Sequence, residues 1–318
     1  MTRISVVMGA YNGGSSLGET LDSLMVQTDR DLEIIVVDDG STDETPALLD
    51  RYARRDARLV VIRQPRAGLT SALIAGCNSA RGDYIARQDV GDLSHPLRLR
   101  LQSEALDQSE NLILVSCWTS YVGPENEPLY ESRGLPSSAV AGSILDPQAA
   151  HGVVDGPTHH GSAMFRRDAY VRAGGYRRAF YYGQDWDLWY RLGEVGDFMI
   201  VQQTLYVARV TPASISSSSR VDQQRIAALA KEAFLARRRG ESDQSIVARA
   251  ATIRPSGHSD RCARSGSLYF IGEALRRNGD VRCRRYLLQA ALACPLSAKA
   301  WVRLVQSVLL DRLAADRS

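Results

Sequence analysis

Short apolar runs alternate with stretches of helical periodicity through the first half of the chain. Ile4–Met8 predicts a strand, and the turn-rich Gly9-Ala10-Tyr11-Asn12-Gly13-Gly14 follows it. Leu17, Leu21, Leu24 and Met25 then share one face of a helix of roughly Ser15 to Gln27. In Glu33–Val37 the apolar residues are continuous, which predicts a strand buried on both faces. A helix from Asp43 to Arg54, a strand at Arg58–Ile62, a helix opened by Arg66-Ala67-Gly68 and a strand at Tyr84–Gln88 complete the run. This alternation predicts an α/β fold, a mostly parallel sheet with helices on both faces.

Beyond Asp92 the pattern loosens. Ser94 is placed to cap a helix with Pro96 in its first turn, and Leu112–Cys117 predicts a fifth strand. Residues 123–157 are broken by prolines and read as irregular, with room for a short helix. Thr158–Arg166 reads as loop into strand, and Gln184–Leu192 as a helix carrying Trp186 and Trp189. Ser214–Ser219 is nearly all serine and predicts a boundary, giving a domain of 1–218 and an all-α region of 219–318. Helices are expected there at Arg220–Arg239, Leu268–Arg277, Val281–Ala293 and Ala298–Leu313, the last three resembling one tetratricopeptide-like unit.

Composition adds bounds. A chain of 318 residues, 44% hydrophobic and 24% charged, has the make-up of a soluble globular protein. No stretch reaches the length of a membrane span, and the strand at Ile4 leaves no room for a signal peptide. Five widely spaced cysteines suggest reduced thiols in a cytoplasmic protein, with neither zinc site nor disulfide framework. Charge is unevenly placed: residues 1–219 carry −7 and residues 220–318 carry +10. A basic helical tail is either a solvated face or a peripheral contact for an anionic membrane. Nucleic acid is not expected as a partner, because few aromatics interleave with the arginines.

Acids end two of the predicted strands. Asp38-Asp39 closes one and Asp89, with Asp92 after it, closes another, so both face one sheet edge, where ligands bind in open α/β sheets. Such carboxylates can hold a divalent ion and, through it, a diphosphate. Equally, Asp38 and Asp39 suit an Asx turn, and Asp89 and Asp92 suit a helix cap paired with Arg98. Asp185 stands apart at a helix start, as a general base does, or as an N-cap. No GxSxG, GxGxxG or Walker sequence is present.

Taken together, Ser5-Val6-Val7-Met8 with Ala10-Tyr11-Asn12, Val37–Asp43, Gly82–Asp89, His160–Arg166, Gly174-Gly175-Tyr176 and Gln184–Trp189 resemble the family 2 glycosyltransferases of GT-A fold. The resemblance runs from Ile4 to about Ser218. It implies inverting transfer of a sugar from a nucleotide-diphosphate donor, UDP-sugar favoured, to a saccharide or lipid-linked saccharide hydroxyl, in bacterial cell-surface polysaccharide synthesis. Ala10, Tyr11, Asn12, Asp38, Asp39, Arg66 and Asp89 would bind the donor. Asp89 and Asp92 would hold Mn²⁺ or Mg²⁺, Asp92 directly or through water. Asp185 would be the catalytic base, with His160 and Trp186 on the acceptor side. Gly91 replaces the usual second Asp of the metal motif, and Gln184 replaces a usual Glu. Those departures support an alternative, a catalytically degenerate domain serving as a binding or scaffold module. A haloacid-dehalogenase-like phosphotransferase is the remaining rival, on Val36–Ser41 alone.

Overall fold

The computed structural model describes residues 2–134, 156–212, 220–254 and 261–315. The chain begins with β1 (Ile4–Ala10), α1 (Gly14–Met25), β2 (Leu32–Asp38), α2 (Thr45–Arg55), β3 (Leu59–Arg63), α3 (Leu69–Ser79) and β4 (Tyr84–Arg87). There follow β5 (Leu93–Ser94), α4 (Arg98–Asp107), β6 (Leu112–Val122), β7 (Pro128–Ser132), a 3₁₀ turn at His160–Ser162 and β8 (Met164–Arg166). After these come α5 (Arg167–Arg172), α6 (Gln184–Gly193), β9 (Asp197–Arg209), α7 (Arg220–Arg238), α8 (Gln244–Ala251), α9 (Arg261–Arg277), α10 (Cys283–Ala293) and α11 (Ala298–Ala315).

The strands form one sheet in the order β3-β2-β1-β4-β8-β6-β9-β5, with β7 paired to β6. The four predicted strands β1 to β4 pair in parallel, and β8 then joins β4 and β6 antiparallel. Every residue of β2 is buried, as its continuous apolar run predicts. Its side chains alternate between two cores. Ile34 and Val36 meet Leu17, Leu21 and Leu49, while Ile35 and Val37 meet Leu73, Phe165 and Trp189. The register pairs Ala10 with Asp38 and Val7 with Arg87, so the acid-bearing ends of β2 and β4 flank β1 at the same edge of the sheet.

Local details differ from expectation. Asp43 does not act as a simple N-cap: it accepts from the Thr45 and Gly14 amides, both at 3.0 Å, and so serves the first turns of α2 and α1 together. Ser94 does not cap α4 but donates to Gln88 Oε1 at 2.7 Å. Arg98 pairs with neither Asp89 nor Asp92, binding instead the Gly161 and Arg87 carbonyls and Gln88 Oε1. Strands β5, β7 and β9 and helix α8 were not predicted; β9 alternates only in part, because Gln202 and Gln203 interrupt it. The short helix considered within 123–157 and the serine run fall largely or wholly outside the described residues.

The chain folds as two compact units: residues 1–119, 132–208 and 224–254, and residues 120–131, 209–223 and 255–318. A division at 218 does not match this, for a packing reason. Ile226, Ala230, Ala233 and Phe234 of α7 and Ile246 of α8 are buried in the same core as Phe165 and Trp189. The second unit builds its own core from Leu268, Ile271 and Leu275 of α9, Tyr286, Leu287 and Ala290 of α10, Ala300 of α11 and Leu129. The Tyr286 hydroxyl donates to Glu127 at 2.5 Å. Cys294 is disulfide-bonded, against the expectation of reduced thiols throughout, whereas Cys77, Cys117 and Cys283 are free.

A buried carboxylate ties the first strands to the turn before β4. Glu33 accepts from Ser5 Oγ at 2.7 Å, from the Arg81 amide at 2.8 Å and from the Arg81 guanidinium at 2.7 Å. Ser5 Oγ in turn accepts from the Gly82 amide. Burial pushes the Glu33 carboxyl up, but these donors outweigh it and hold the group below its ordinary value. Glu33→Ala should therefore lower the unfolding free energy by about 2 kcal/mol. Because the folded pKa is the lower one, the Glu33 contribution is complete above the ordinary glutamate range and lost as pH falls through the folded value. Denaturant titration of both proteins at neutral and acidic pH checks this: the gap between them should close on acidification.

Candidate active site

The ends of β1 and β2 build one half of the site. Asp38 Oδ1 accepts from the Ser41 amide at 3.0 Å, the Asx turn that its position suggested. Asp39 holds the loop before α3: Oδ1 accepts from Gln64 Nε2 at 2.7 Å and the Ala67 amide at 2.8 Å, and Oδ2 from the Gly68 amide at 2.8 Å. A carboxylate has about four acceptor positions, so one position on Oδ2 is left for a ligand donor. Gly40 has φ +76°, and a Cβ there would stand 2.9 Å from the Arg66 amide, so only glycine lets this loop approach. Asn12, also left-handed at φ 48°, accepts from the Thr42 amide at 2.8 Å and donates its own amide to Ser41 Oγ. Ala10 is buried and acts through its carbonyl, which accepts from the Asp39 amide. Above these, the Arg66 guanidinium lies 3.3 Å from the centre of the exposed Tyr11 ring.

The end of β4 builds the other half, and the halves meet where a Cβ on Gly13 would stand 2.6 Å from Val90 Cγ1. Arg87 is fully buried. It donates to the Val7 carbonyl, to the Gln88 carbonyl at 3.2 Å, to Asp89 Oδ1 at 2.7 Å and to His160 Nε2 at 3.3 Å. Burial raises the Asp89 carboxyl, but the Arg87 charge and hydrogen bond, together with the two neighbouring histidines, outweigh it and leave the group below its ordinary value. The chain turns at Gly91, φ +94°, whose amide donates to Thr20 Oγ1. Asp92 follows; its Oδ2 accepts from the Tyr206 hydroxyl at 2.9 Å, and that same hydroxyl accepts from the Asp89 amide at 3.2 Å.

His159 completes this corner. Its Nδ1 lies 4.0 Å from Asp89 Oδ2 and 3.7 Å from Asp92 Oδ2, and the ring stacks on Tyr206. One ligand atom from each of Asp89, Asp92 and His159 falls within 4.8 Å of the others, a cluster able to hold a metal ion. Nδ1 also accepts from the Gly161 amide at 3.0 Å, a bond its lone pair would exchange for a metal ion. No side chain fits at Gly161: a Cβ would come within 1.9 Å of the Tyr206 hydroxyl. Sequence reasoning left His159 out of the ligand set. The signal available was its place two residues before Gly161, in the turn that enters β8.

His160 is committed elsewhere. Its Nε2 meets both Arg87 and the Tyr176 hydroxyl, the latter at 2.8 Å, and its ring packs edge-on to Tyr176 and Trp189. Burial, with the Arg87 charge added, pushes the imidazole down to about 3, so the ring is neutral. Asp185 is the second residue of α6 rather than its N-cap, which is Gly183 at φ +57°. Burial raises its carboxyl above the ordinary value, against hydrogen bonds from the Trp186 and Asp185 amides. It is close enough to Asp89 and His159 to feel both charges. Trp189 is in the core, as expected, and Trp186 is half-buried against it.

Ion pairs fix α6. Asp187, almost fully buried, binds Arg177 and, at 2.6 Å, Arg191. Arg177 and Arg237 both reach Asp243 at 2.7 Å, and Arg237 continues to Glu194. Tyr190 stacks on Phe234 at 4.9 Å between ring centres. Helices α7 and α8 thus grip the helix that carries Asp185.

A parallel sheet turning antiparallel at β8, with acids at the ends of β2 and β4, is the architecture of the GT-A glycosyltransferases. S. aureus TarS 1–349 in complex with UDP superposes with a TM-score of 0.55 at 14% identity, over 98% of this chain and 92% of that one. The mannosyltransferase PcManGT from Pyrobaculum calidifontis, in complex with GDP-Man and Mn²⁺, gives 0.55 at 18% identity, over 98% and 86%. The chain belongs to glycosyl transferase family 2, whose sequence model matches residues 5–173. It is 33% identical to the putative glycosyltransferase EpsE of Bacillus subtilis over 65% of this chain and 73% of EpsE. It is 25% identical to the chondroitin synthase of Pasteurella multocida over 70% of this chain but only 22% of that protein. The protein is a glycosyltransferase, and the phosphotransferase reading of Val36–Ser41 falls away.

Removing a ligand should weaken metal binding without unfolding the protein. His159→Ala and Asp89→Asn are each expected to weaken Mn²⁺ binding by about tenfold or more, read by calorimetry in the presence of a nucleoside diphosphate. Asp89→Ala should in addition destabilise the fold by about 3 kcal/mol, since it strands the buried Arg87 charge.

Proposed function

We propose that this enzyme transfers a sugar from a nucleotide-diphosphate donor, UDP-sugar favoured, to an acceptor hydroxyl with inversion at the anomeric carbon. The observation that carries the proposal is the cluster of Asp89, Asp92 and His159, whose ligand atoms lie within 4.8 Å of one another, at the sheet edge that also bears the Tyr11, Asp39 and Arg66 loop. Tyr11 offers a face for the base, with Arg66 above it, and Asp39 keeps an acceptor position open. Two carboxylates and an imidazole suit Mn²⁺, and Mg²⁺ less well because of the nitrogen. When bound, the ion neutralises charge on the diphosphate leaving group. Asp185 takes the acceptor proton as the acceptor oxygen bonds to the anomeric carbon and the bond to the diphosphate breaks. Its raised pKa keeps it basic enough for that role, and its place at the start of α6 sets it apart from the ligand cluster. His160 and Trp186 are assigned to the acceptor side.

The name of one relative, chondroitin synthase, supports a role in polysaccharide synthesis; the proposal extends this to cell-surface polysaccharide or glycoconjugate, on saccharide or lipid-linked saccharide acceptors. A lipid-linked acceptor calls for peripheral contact with an anionic membrane through residues 220–318, and no helix among the described residues is long and apolar enough to cross one.

Thermal unfolding with UDP, GDP, dTDP and CDP, each with and without Mn²⁺, tests the donor. A ligand at one hundred times its dissociation constant adds about 2.7 kcal/mol, so one nucleotide should raise Tm, and more so with Mn²⁺. If none does, the scaffold reading replaces this one. Asp185→Asn should lower kcat by about 10³-fold while leaving the nucleotide shift intact. In the parent enzyme kcat should fall as pH drops through the Asp185 pKa, which burial places above the usual carboxylate range. A pH–rate profile whose acid limb lies at or below the ordinary aspartate value would overturn the assignment of Asp185 as base.

A further inference from the structure

Residues 281–310 contain Arg282, Arg284, Arg285, Lys299 and Arg303 and not one Asp or Glu. The same stretch exposes much apolar surface. The inner face of α10 is spent on the core of its unit through Tyr286, Leu287, Ala290 and Ala291. Its outer face carries Leu288 and Leu292, the latter 63% exposed. The connection to α11 carries Leu296, 97% exposed, and α11 adds Trp301, Val302 and Val305. The Trp301 indole N–H donates to the Pro295 carbonyl at 3.1 Å. That bond seats the ring on the Pro295–Leu296 connection and satisfies its one polar atom, so the ring can leave water at no hydrogen-bonding cost. Lys299, between them in sequence, is exposed and has no acidic partner among the described residues.

We infer that the α10–α11 corner, centred on Leu296 and Trp301, is the face by which this chain docks on an anionic lipid bilayer. This rests on the membrane contact of the proposed function and gives it an address. Exposed Leu and Trp with neighbouring cations match what the interfacial zone of a bilayer takes up. Several of the cations are tied within the unit, Arg282 to Asp280, Arg285 to Glu125 and Arg303 to Glu273. Even so, residues 255–318 carry 11 Lys+Arg against 5 Asp+Glu, a surplus of +6. A second copy of the chain is the poorer occupant, because residues 281–310 offer it no acid to set against their own surplus of cations.

The test is co-sedimentation of the full chain with phosphatidylcholine vesicles, with and without phosphatidylglycerol. The parent protein should bind only the anionic vesicles, and less as salt rises. Leu296→Asp with Trp301→Asp should cut the bound fraction by about tenfold or more at every salt concentration. Val171→Asp, an equally exposed apolar site on α5, should leave binding unchanged. Because Trp301 is only 39% exposed and bonded to Pro295, Leu296→Asp alone, at a site 97% exposed, is the second variant: it should keep the parent's unfolding temperature and still lower vesicle binding. Equal vesicle binding by the double variant overturns the inference, as does equal binding of the parent to neutral vesicles. So does a parent dimer that the double variant dissolves while neither protein binds vesicles. The nucleotide-dependent Tm shift is read on the same samples. Its absence alongside intact vesicle binding would count against the transferase reading and not against the docking face.

Discussion

The site depends on one guanidinium removed from water. Arg87 ends β4 with its side chain turned inward, where the Val7 and Gln88 carbonyls and Asp89 take its donors. A buried cation persists only where such partners are all in place, and removing one costs about 3–5 kcal/mol. That requirement sets the geometry of the corner. Oδ1 of Asp89 is fixed by Arg87, so Oδ2 is the oxygen that faces His159 and Asp92. The same charge helps to lower the Asp89 carboxyl against its burial, and adds to the burial that lowers the His160 imidazole. Arg98, also fully buried, holds the Arg87 carbonyl and the Gly161 carbonyl. The strand end that bears Asp89 and the turn that bears His159 are therefore locked together from behind.

This bears on the most evident departure from the family pattern. Gly91 stands where a second Asp is usual, yet three ligand atoms still fall within 4.8 Å. Gly91 adopts a positive φ and spends its amide on Thr20, which carries the chain round to Asp92. An Asp at 91 would be strained by that backbone. The Tyr206 hydroxyl then binds Asp92 and the Asp89 amide together, fixing the spacing that a tight Asp-x-Asp turn would otherwise set. What the motif lost in one residue is supplied by a shared hydroxyl and an imidazole.

The parallel half of the fold was legible because its signals are local. Continuous Val and Ile runs, Gly turns and helical periodicity recur from Ile4 to Arg87, and the strands they predict are the strands observed. The acids at strand ends were legible for the same reason, and so was the core placement of Trp189. The antiparallel half was not. Strand β9 has only broken alternation, and what makes it a strand is pairing with distant β6 on one side and β5 on the other, where Leu93 meets Val207. Asp39 shows the limit from the other side. Its chemistry was evident, but its commitment to Gln64, Ala67 and Gly68 is a tertiary fact, as is the metal-side position of His159 beside Asp92.

The charge asymmetry was visible in the sequence, and folding divides it into two populations with different work. Residues 220–254 carry 8 Lys+Arg and 4 Asp+Glu, and residues 255–318 carry the remaining surplus of +6. Most of the first group lies on α7 and α8. Arg237 is drawn to Glu194 and to Asp243, and Asp243 also holds Arg177 and through it Asp187 and α6. Arg237 is thus spent on holding the helix of Asp185, while Arg239 and Arg249 pair with Glu241 and Glu232. A cut at residue 219 would therefore remove core residues Ile226 and Phe234 and loosen the candidate base together with the tail. In the second group Arg282, Arg285 and Arg303 are paired within their unit, and Lys299 stands beside an apolar corner that is exposed among the described residues. Basic residues thus serve internal order before residue 254, and beyond it flank an outward-facing surface.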